Sequence, residues 1–238
     1  MWSWILVLLL AFAVSFPLYL CRGKQYSYSF QKLLIAYAVF FIVGAFGAIT
    51  GSLISGEGVF SRRLYGMVLV DFLLVFLLSP LLKIKRTDLG DFIAAPTMAV
   101  CFASKIDCCM RGCCYGCVIY QVDGERLIRF PSAIFEMLLW AIITIILLKI
   151  EHKKKAKGIL WPISIVWFGI GRFLVDFLRG VDGEKRVFLI GLTAGQFWSL
   201  LVFAIGLIYL YIEVLRKLKR RPRIREFLSA SIGTIYLD

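Results

Sequence analysis

Leu160-Trp-Pro-Ile-Ser-Ile-Val-Trp-Phe-Gly-Ile-Gly-Arg-Phe-Leu-Val-Asp-Phe-Leu178 is an apolar run long enough to cross a bilayer as a helix. Inside it sit Arg172 and Asp176, with Arg179 immediately beyond. Charges at that depth are costly, and ionisable groups within a span face a bundle interior or an aqueous cavity and mark function. Spacings of four and then three residues put all three side chains on one helical face. Two guanidinium groups flanking a carboxyl group can fix a phosphate-bearing headgroup and serve a proton transfer beside it. The alternative is an Arg172–Asp176 pair that neutralises itself and sets helix packing.

The rest of the chain agrees with a membrane setting. Its 238 residues are 61% hydrophobic, and the mean hydropathy is +0.85, far above that of a soluble domain. Besides Leu160–Leu178, spanning stretches are expected at about Trp2–Leu20, Leu33–Ser55, Tyr65–Leu82, Pro131–Leu148 and Thr193–Leu215. A weaker stretch, Phe92–Ala103, is interrupted by Pro96 and reaches spanning length only if the helix continues through Lys105 and Asp107 to about Met110.

Charge distribution decides the weak span. With seven helices, eighteen of the 28 Lys and Arg residues fall on the side that includes Lys83, Lys85, Arg86, Lys153–Lys155 and the basic tail. Nine fall on the other side and Arg172 lies within the membrane. The positive-inside rule then gives seven transmembrane helices in an all-α protein, with an outside N-terminus and a cytoplasmic C-terminus. Six helices break the agreement. The formal charge of +13 is thus a topology signal with attraction to anionic inner-leaflet lipid, and no nucleic-acid motif accompanies it. Trp2, Trp4, Tyr209 and Tyr211 fit interfacial belts. The first apolar run is not read as a signal peptide, because Arg22 and Lys24 follow it instead of preceding it.

The expected organisation is one polytopic domain over residues 1–238, with a basic cytoplasmic tail from about residue 216 and no repeat marking inverted halves. Gly44, Gly47, Ala48, Gly51, Ser52 and Ser55 form a small-residue stripe suited to close helix packing. Asp71, midway along its span, reads as a satisfied interior polar group.

Ser104-Lys-Ile-Asp-Cys-Cys-Met-Arg-Gly-Cys-Cys-Tyr-Gly-Cys117 places five of the seven cysteines within ten residues. Adjacent Cys pairs are not the usual C-x2-C spacing of a zinc site, and the single histidine, His152, belongs to the opposite loop. Redox chemistry and packing of small polarizable residues beneath a ligand remain open, with Gly112 and Gly116 letting the backbone approach that ligand. No metal and no cofactor is expected.

This stretch resembles the signature of the bacterial prolipoprotein diacylglyceryl transferase family, Lgt, approximately G-R-x-G-N-F-x-N-x-E-x-x-G. Its cysteine-rich variants run R-I-G-C-F-x-x-G-C-C-Y-G. Phe130-Pro-Ser-Ala-Ile-Phe-Glu136 is similar to the family's H-P-S-Q-L-Y-E. Gly171-Arg-Phe-Leu-Val-Asp-Phe-Leu-Arg179 is similar to R-F-x-x-E-x-x-R, and Gly195-Gln-Phe-Trp-Ser199 to the block opening the last helix. Departures are plain. Lys105 stands for the signature arginine, Cys108 and Arg111 for its asparagines and Cys113 for its glutamate; Tyr65 and Phe130 stand for histidines, and Asp176 for a glutamate.

The resemblance implies transfer of a diacylglyceryl group from phosphatidylglycerol to the thiol of a lipobox cysteine in a prolipoprotein signal peptide, at the bacterial cytoplasmic (inner) membrane. It implies catalytic roles for Arg172, Asp176 and Tyr65. Phosphatidylglycerol falls to Lys105, Arg111, Gly112, Gly116, Glu136 and Arg179. A non-catalytic relative that binds lipid or precursor, and a membrane thiol-redox or metal-binding protein, are the alternative readings.

Overall fold

A computed structural model describes residues 2–54, 64–111, 116–122, 126–152, 157–179, 187–189 and 191–219. Seven helices follow one another: α1 (Trp2–Gly23), α2 (Phe30–Ile54), α3 (Leu64–Leu82), α4 (Arg86–Arg111), α5 (Ser132–His152), α6 (Leu160–Leu178) and α7 (Ala194–Lys219). Six are long and apolar enough to cross a membrane, and the apolar part of the seventh, Gly66–Leu82 in α3, is shorter. The doubtful fourth span is thus a single helix. It continues past Pro96 and through Lys105, as charge parity required.

The all-α expectation needs one amendment. Two short antiparallel hairpins join the helices: β1 (Val118–Val122) pairs with β2 (Arg126–Arg129), and β3 (Val187–Leu189) with β4 (Leu192–Thr193). Period-two alternation over so few residues is easily lost beside the helical signal.

The bundle wears its apolar residues outward. Leu73, Leu77 and Leu81 of α3, Ile134, Leu138, Ile142 and Ile145 of α5, and Leu174 and Phe177 of α6 are all exposed, each set at helical spacing, as a hydrocarbon solvent requires. α4 is the exception: every residue from Asp88 to Ala99 is buried. It packs on α1, α3, α5 and α6, so the least apolar span occupies the centre. Tyr209, expected in an interfacial belt, is buried instead against Phe72 and Phe76, whereas Tyr211 is exposed.

Glycines set two of the closest helix contacts. A Cβ on Gly169 would stand 2.7 Å from the Phe203 backbone, and one on Gly206 would stand 2.9 Å from Val166 N. One glycine on each helix therefore lets α6 and α7 approach closely, Gly169 against Phe203 and Gly206 against Val166.

Buried polar groups fasten one end of the bundle. Pro96 has no N–H to offer the carbonyl of Phe92 four residues earlier, and Arg22 Nη1 donates to that oxygen at 2.5 Å. Arg22 Nη2 also donates to Asp91 O at 2.6 Å, while Nε and Nη2 form a bidentate pair with Glu151 at 2.6 and 2.8 Å. The Tyr26 hydroxyl donates to Glu151 Oε1 at 2.7 Å. Tyr26 lies between α1 and α2, and burial pushes its phenol upward from the usual value. Asp91 caps α6 from another helix, accepting from the backbone N–H groups of Gly158 and Leu160, the latter at 2.9 Å.

Candidate functional site

Fourteen residues along α4 from Asp91, roughly 21 Å away, Lys105 opens a second buried polar cluster. Its ammonium lies 2.9 Å from Glu136 Oε2 on α5. Arg172 Nη1 of α6 donates to the other oxygen, Glu136 Oε1, at 3.1 Å. Glu136 is fully buried, and Lys105 and Arg172 are nearly so. Arg172 Nη2 in turn stands 3.7 Å from Asp176 Oδ1, one turn on. The result is an alternating chain of cation and carboxyl group across three helices.

The chain continues into α7. The Thr193 hydroxyl donates to Asp176 Oδ2 and accepts from the Gln196 backbone N–H at 3.1 Å. The Thr193 N–H donates to Gln196 Oε1 at 3.0 Å. This reciprocal pairing is a capping box at the start of α7. Asp176 therefore sits at a helix N-terminus, where backbone dipoles favour a negative group. Gly195 makes the room: a Cβ there would stand 2.8 Å from Asp176 Oδ1.

Gly116 and Cys117 dock on the end of α6. Gly116 and Arg179 form an isolated antiparallel bridge, the Cys117 N–H donates to Leu178 O at 2.9 Å, and the Phe130 N–H to Cys117 O at 2.9 Å. A Cβ on Gly116 would fall 2.1 Å from Phe130 O, so only glycine fits. This fastens the cysteine-bearing segment to the end of α6, and Arg179 adds its charge to the field at Glu136.

The residues singled out in the sequence separate into two groups. Lys105, Glu136, Arg172 and Asp176 form one connected cluster, with Gly116 and Arg179 at its margin. Gly112 and the side chains of Tyr65 and Arg111 lie outside the described residues, as do Cys113 and Cys114. Cys101 is buried and Cys117 exposed, both as free thiols, and no group of three metal-binding side chains occurs among the described residues. In the sequence Thr193 reads only as the start of a span and Gln196 only within a family-like block, although their T-x-x-Q spacing before an apolar run is a readable cap signal.

Lys105 also faces a second feature. With Ser104 and Cys108 it lines the end of a mainly apolar cleft between α1, α2, α3 and α4. Asp71, expected to be satisfied, lines the same cleft with Oδ1 lacking a hydrogen-bond partner.

A helical bundle with six helices long and apolar enough to cross a membrane, an apolar exterior and a buried chain of ion pairs has the architecture of a polytopic membrane protein. The family model for prolipoprotein diacylglyceryl transferase matches residues 4–212, and the chain belongs to that family. It is 29% identical over 88% of both chains to phosphatidylglycerol–prolipoprotein diacylglyceryl transferase 2 of Clostridium perfringens. It is 28% identical over 60% of each chain to the transferase of Ehrlichia ruminantium. Over 65% of each chain it is 28% identical to that of Clostridium tetani.

Proposed function

We propose that this chain is a bacterial inner-membrane diacylglyceryl transferase that moves the diacylglyceryl group of phosphatidylglycerol onto the cysteine thiol of a prolipoprotein signal peptide. The observation that carries the reading is the convergence of Lys105 and Arg172 on the two oxygens of Glu136. Glu136 holds two cations where a phosphate oxygen pair fits, so a phosphodiester arriving from the cleft competes for both. The orientation that goes with this reading is N-terminus outside, C-terminus cytoplasmic, which puts the cluster at the outer half of the membrane.

In the reaction, the cysteine sulfur forms a bond to the terminal glycerol carbon while the bond from that carbon to the phosphate oxygen breaks. The electron pair leaves with glycerol phosphate. Arg172, Lys105 and Arg179 stabilise the developing charge as fixed donors. The thiol proton passes to Asp176, directly or through water, since the thiolate is the nucleophile. Asp176 is held for that task by Thr193. Tyr65 acts as a proton relay or headgroup donor at the position of a family histidine, and Arg111, Gly112 and Gly116 shape the headgroup end. No protein nucleophile is needed, because the substrate brings the sulfur.

A second reading, a lipid- or precursor-binding relative without turnover, is favoured by one observation. Lys105 and Arg172 are already matched by Glu136, at 2.9 and 3.1 Å, with Asp176 3.7 Å from Arg172. Purified protein incubated with phosphatidylglycerol and a lipobox peptide separates the two. A peptide heavier by one diacylglyceryl group supports the transferase. Lipid binding without an adduct supports the second reading, and neither binding nor adduct overturns both.

A further inference from the structure

We infer that the cleft bounded by α1, α2, α3 and α4 is a selectivity site for a lipid chain carrying a hydroxyl group, recognised by Asp71. The inference rests on the lipid-transfer reading, in that Lys105 holds the anionic headgroup at the cleft's end.

The shape of the cleft favours a chain. It runs along α4 from Phe92 to Cys108, sixteen residues or about 24 Å. Its empty volume, open mouth included, is about 1010 Å³. A peptide helix of that length, about 10 Å across, occupies roughly 1,900 Å³. The walls are mainly apolar, with residues such as Leu8, Phe41, Met67 and Ile93, and the Ser15 and Tyr37 hydroxyls that also line it are bonded to each other, so an extended hydrocarbon chain is the natural occupant.

Asp71 breaks that apolar wall. It is 3% exposed, and its Oδ2 accepts from Thr97 Oγ1 at 3.1 Å. Oδ1 has no partner. Gly44 leaves that oxygen space, since a Cβ there would stand 2.9 Å away. A buried polar atom without a partner is costly, so a ligand that supplies one gains at this position over one that offers only methylenes.

Depth identifies the group. Thr97 lies eight residues from Lys105 on α4, about 12 Å further along the cleft. The ester linkages of a phospholipid sit beside its headgroup, at the level of Lys105. What reaches Asp71 is the middle of an acyl chain. A hydroxyl both donates and accepts, so it pairs with the Asp71 carboxyl group in either protonation state. The ligand chemistry is an anionic head with a mid-chain hydroxyl, available from a hydroxyacyl phospholipid or from a free hydroxy fatty acid.

The experiment uses the full chain in detergent and measures affinity for four probes. These are phosphatidylglycerol with plain acyl chains, the same lipid with a mid-chain hydroxyl, and the plain and hydroxylated free fatty acids. Either hydroxylated probe should bind about tenfold tighter than its plain partner. The phospholipid pair and the fatty-acid pair report separately which source is preferred. Asp71→Leu, or Asp71→Ala should the leucine variant not fold, should abolish the discrimination and keep the affinity for plain lipid. Equal affinities within both pairs on the unaltered protein, or discrimination that survives in the variant, overturns the inference. Failure of phosphatidylglycerol to bind at all counts instead against the transferase reading, and the fatty-acid pair still reports on Asp71.

Discussion

Lys105 Nζ lies 2.9 Å from Glu136 Oε2, and this one contact joins the buried ion cluster to the apolar cleft. Glu136 reaches Arg172 but does not line the cleft, whereas Lys105 lines the cleft and touches the cluster through Glu136. A headgroup entering from the cleft therefore meets the lysine before the arginine.

Replacing Arg172 tests the electrostatic role. Arg172→Ala should reduce transfer by about 10²–10³-fold, the range for removing a fixed donor from developing charge. Arg172→Lys should retain part of the activity, because charge persists while bidentate geometry is lost. Adduct mass measured against time, with membrane insertion checked in parallel, reads both. Full turnover in Arg172→Ala would remove the residue from the mechanism.

Glu136→Gln leaves two buried cations without their carboxyl partner. Breaking a buried pair in this way costs about 3–5 kcal/mol. Because a phosphodiester can replace the missing charge, phosphatidylglycerol should raise the thermal midpoint of this variant more than that of the unaltered protein. Equal shifts would mean that lipid phosphate does not occupy the position facing Glu136.

Thr193→Ala removes both the cap of α7 and a donor to Asp176. The cap alone should cost about 1 kcal/mol, and transfer should fall further than stability. Thr193→Ser, which keeps the hydroxyl, should restore both. The comparison requires unfolding curves and initial rates on the same preparations.

Arg22→Met should destabilise the bundle by about 3–5 kcal/mol, because Glu151 loses its cation, keeping only the Tyr26 hydroxyl of its described donors, and the Phe92 carbonyl loses its donor as well. Adding Pro96→Ala should recover part of that loss, since alanine supplies the N–H that Phe92 O otherwise lacks. A double variant no more stable than Arg22→Met would show that the carbonyl is satisfied in another way.

Single replacement of Cys108, Cys109, Cys113, Cys114 or Cys117 by Ser should give graded losses without any one being indispensable, and activity should survive chelator and reductant. Bound zinc or iron near one equivalent, lost together with activity in the Cys113 variant, would favour a metal centre instead.

Much of this architecture was legible in the residues. Apolar runs located six helices and charge distribution decided the seventh, α4, and the 160–178 boundaries agree with α6 to the residue. Helical spacing put Arg172 and Asp176 together because i, i+4 neighbours share a face. Lys105 and Glu136 meet across two helices, and periodicity within a helix carries no information about which faces oppose one another. The family resemblance named both residues without pairing them. Arg22 was read only as a topology marker, because its task depends on a carbonyl released by a proline 74 positions later. Thr193 was passed over as the edge of a span, although its cap pattern is local. Asp71 was read as satisfied because a sequence counts polar groups and not their partners.

The burial of α4 has a consequence for biogenesis. This helix holds Arg86, Asp88, Asp91, Lys105, Asp107 and Arg111 within 26 residues, and charged residues oppose entry of an isolated segment into lipid. Arg22 of α1, already synthesised, reaches two backbone carbonyls of α4, whereas Lys105 is compensated by Glu136 of α5 and Asp91 by the backbone N–H groups of Gly158 and Leu160, which are not yet made. As the nascent chain emerges, α4 should linger at the translocon until the later helices arrive, and release into lipid as one unit with them. Ribosome-bound chains stopped just after α4 should therefore remain crosslinkable to the insertion machinery, while chains extended beyond α6 should not.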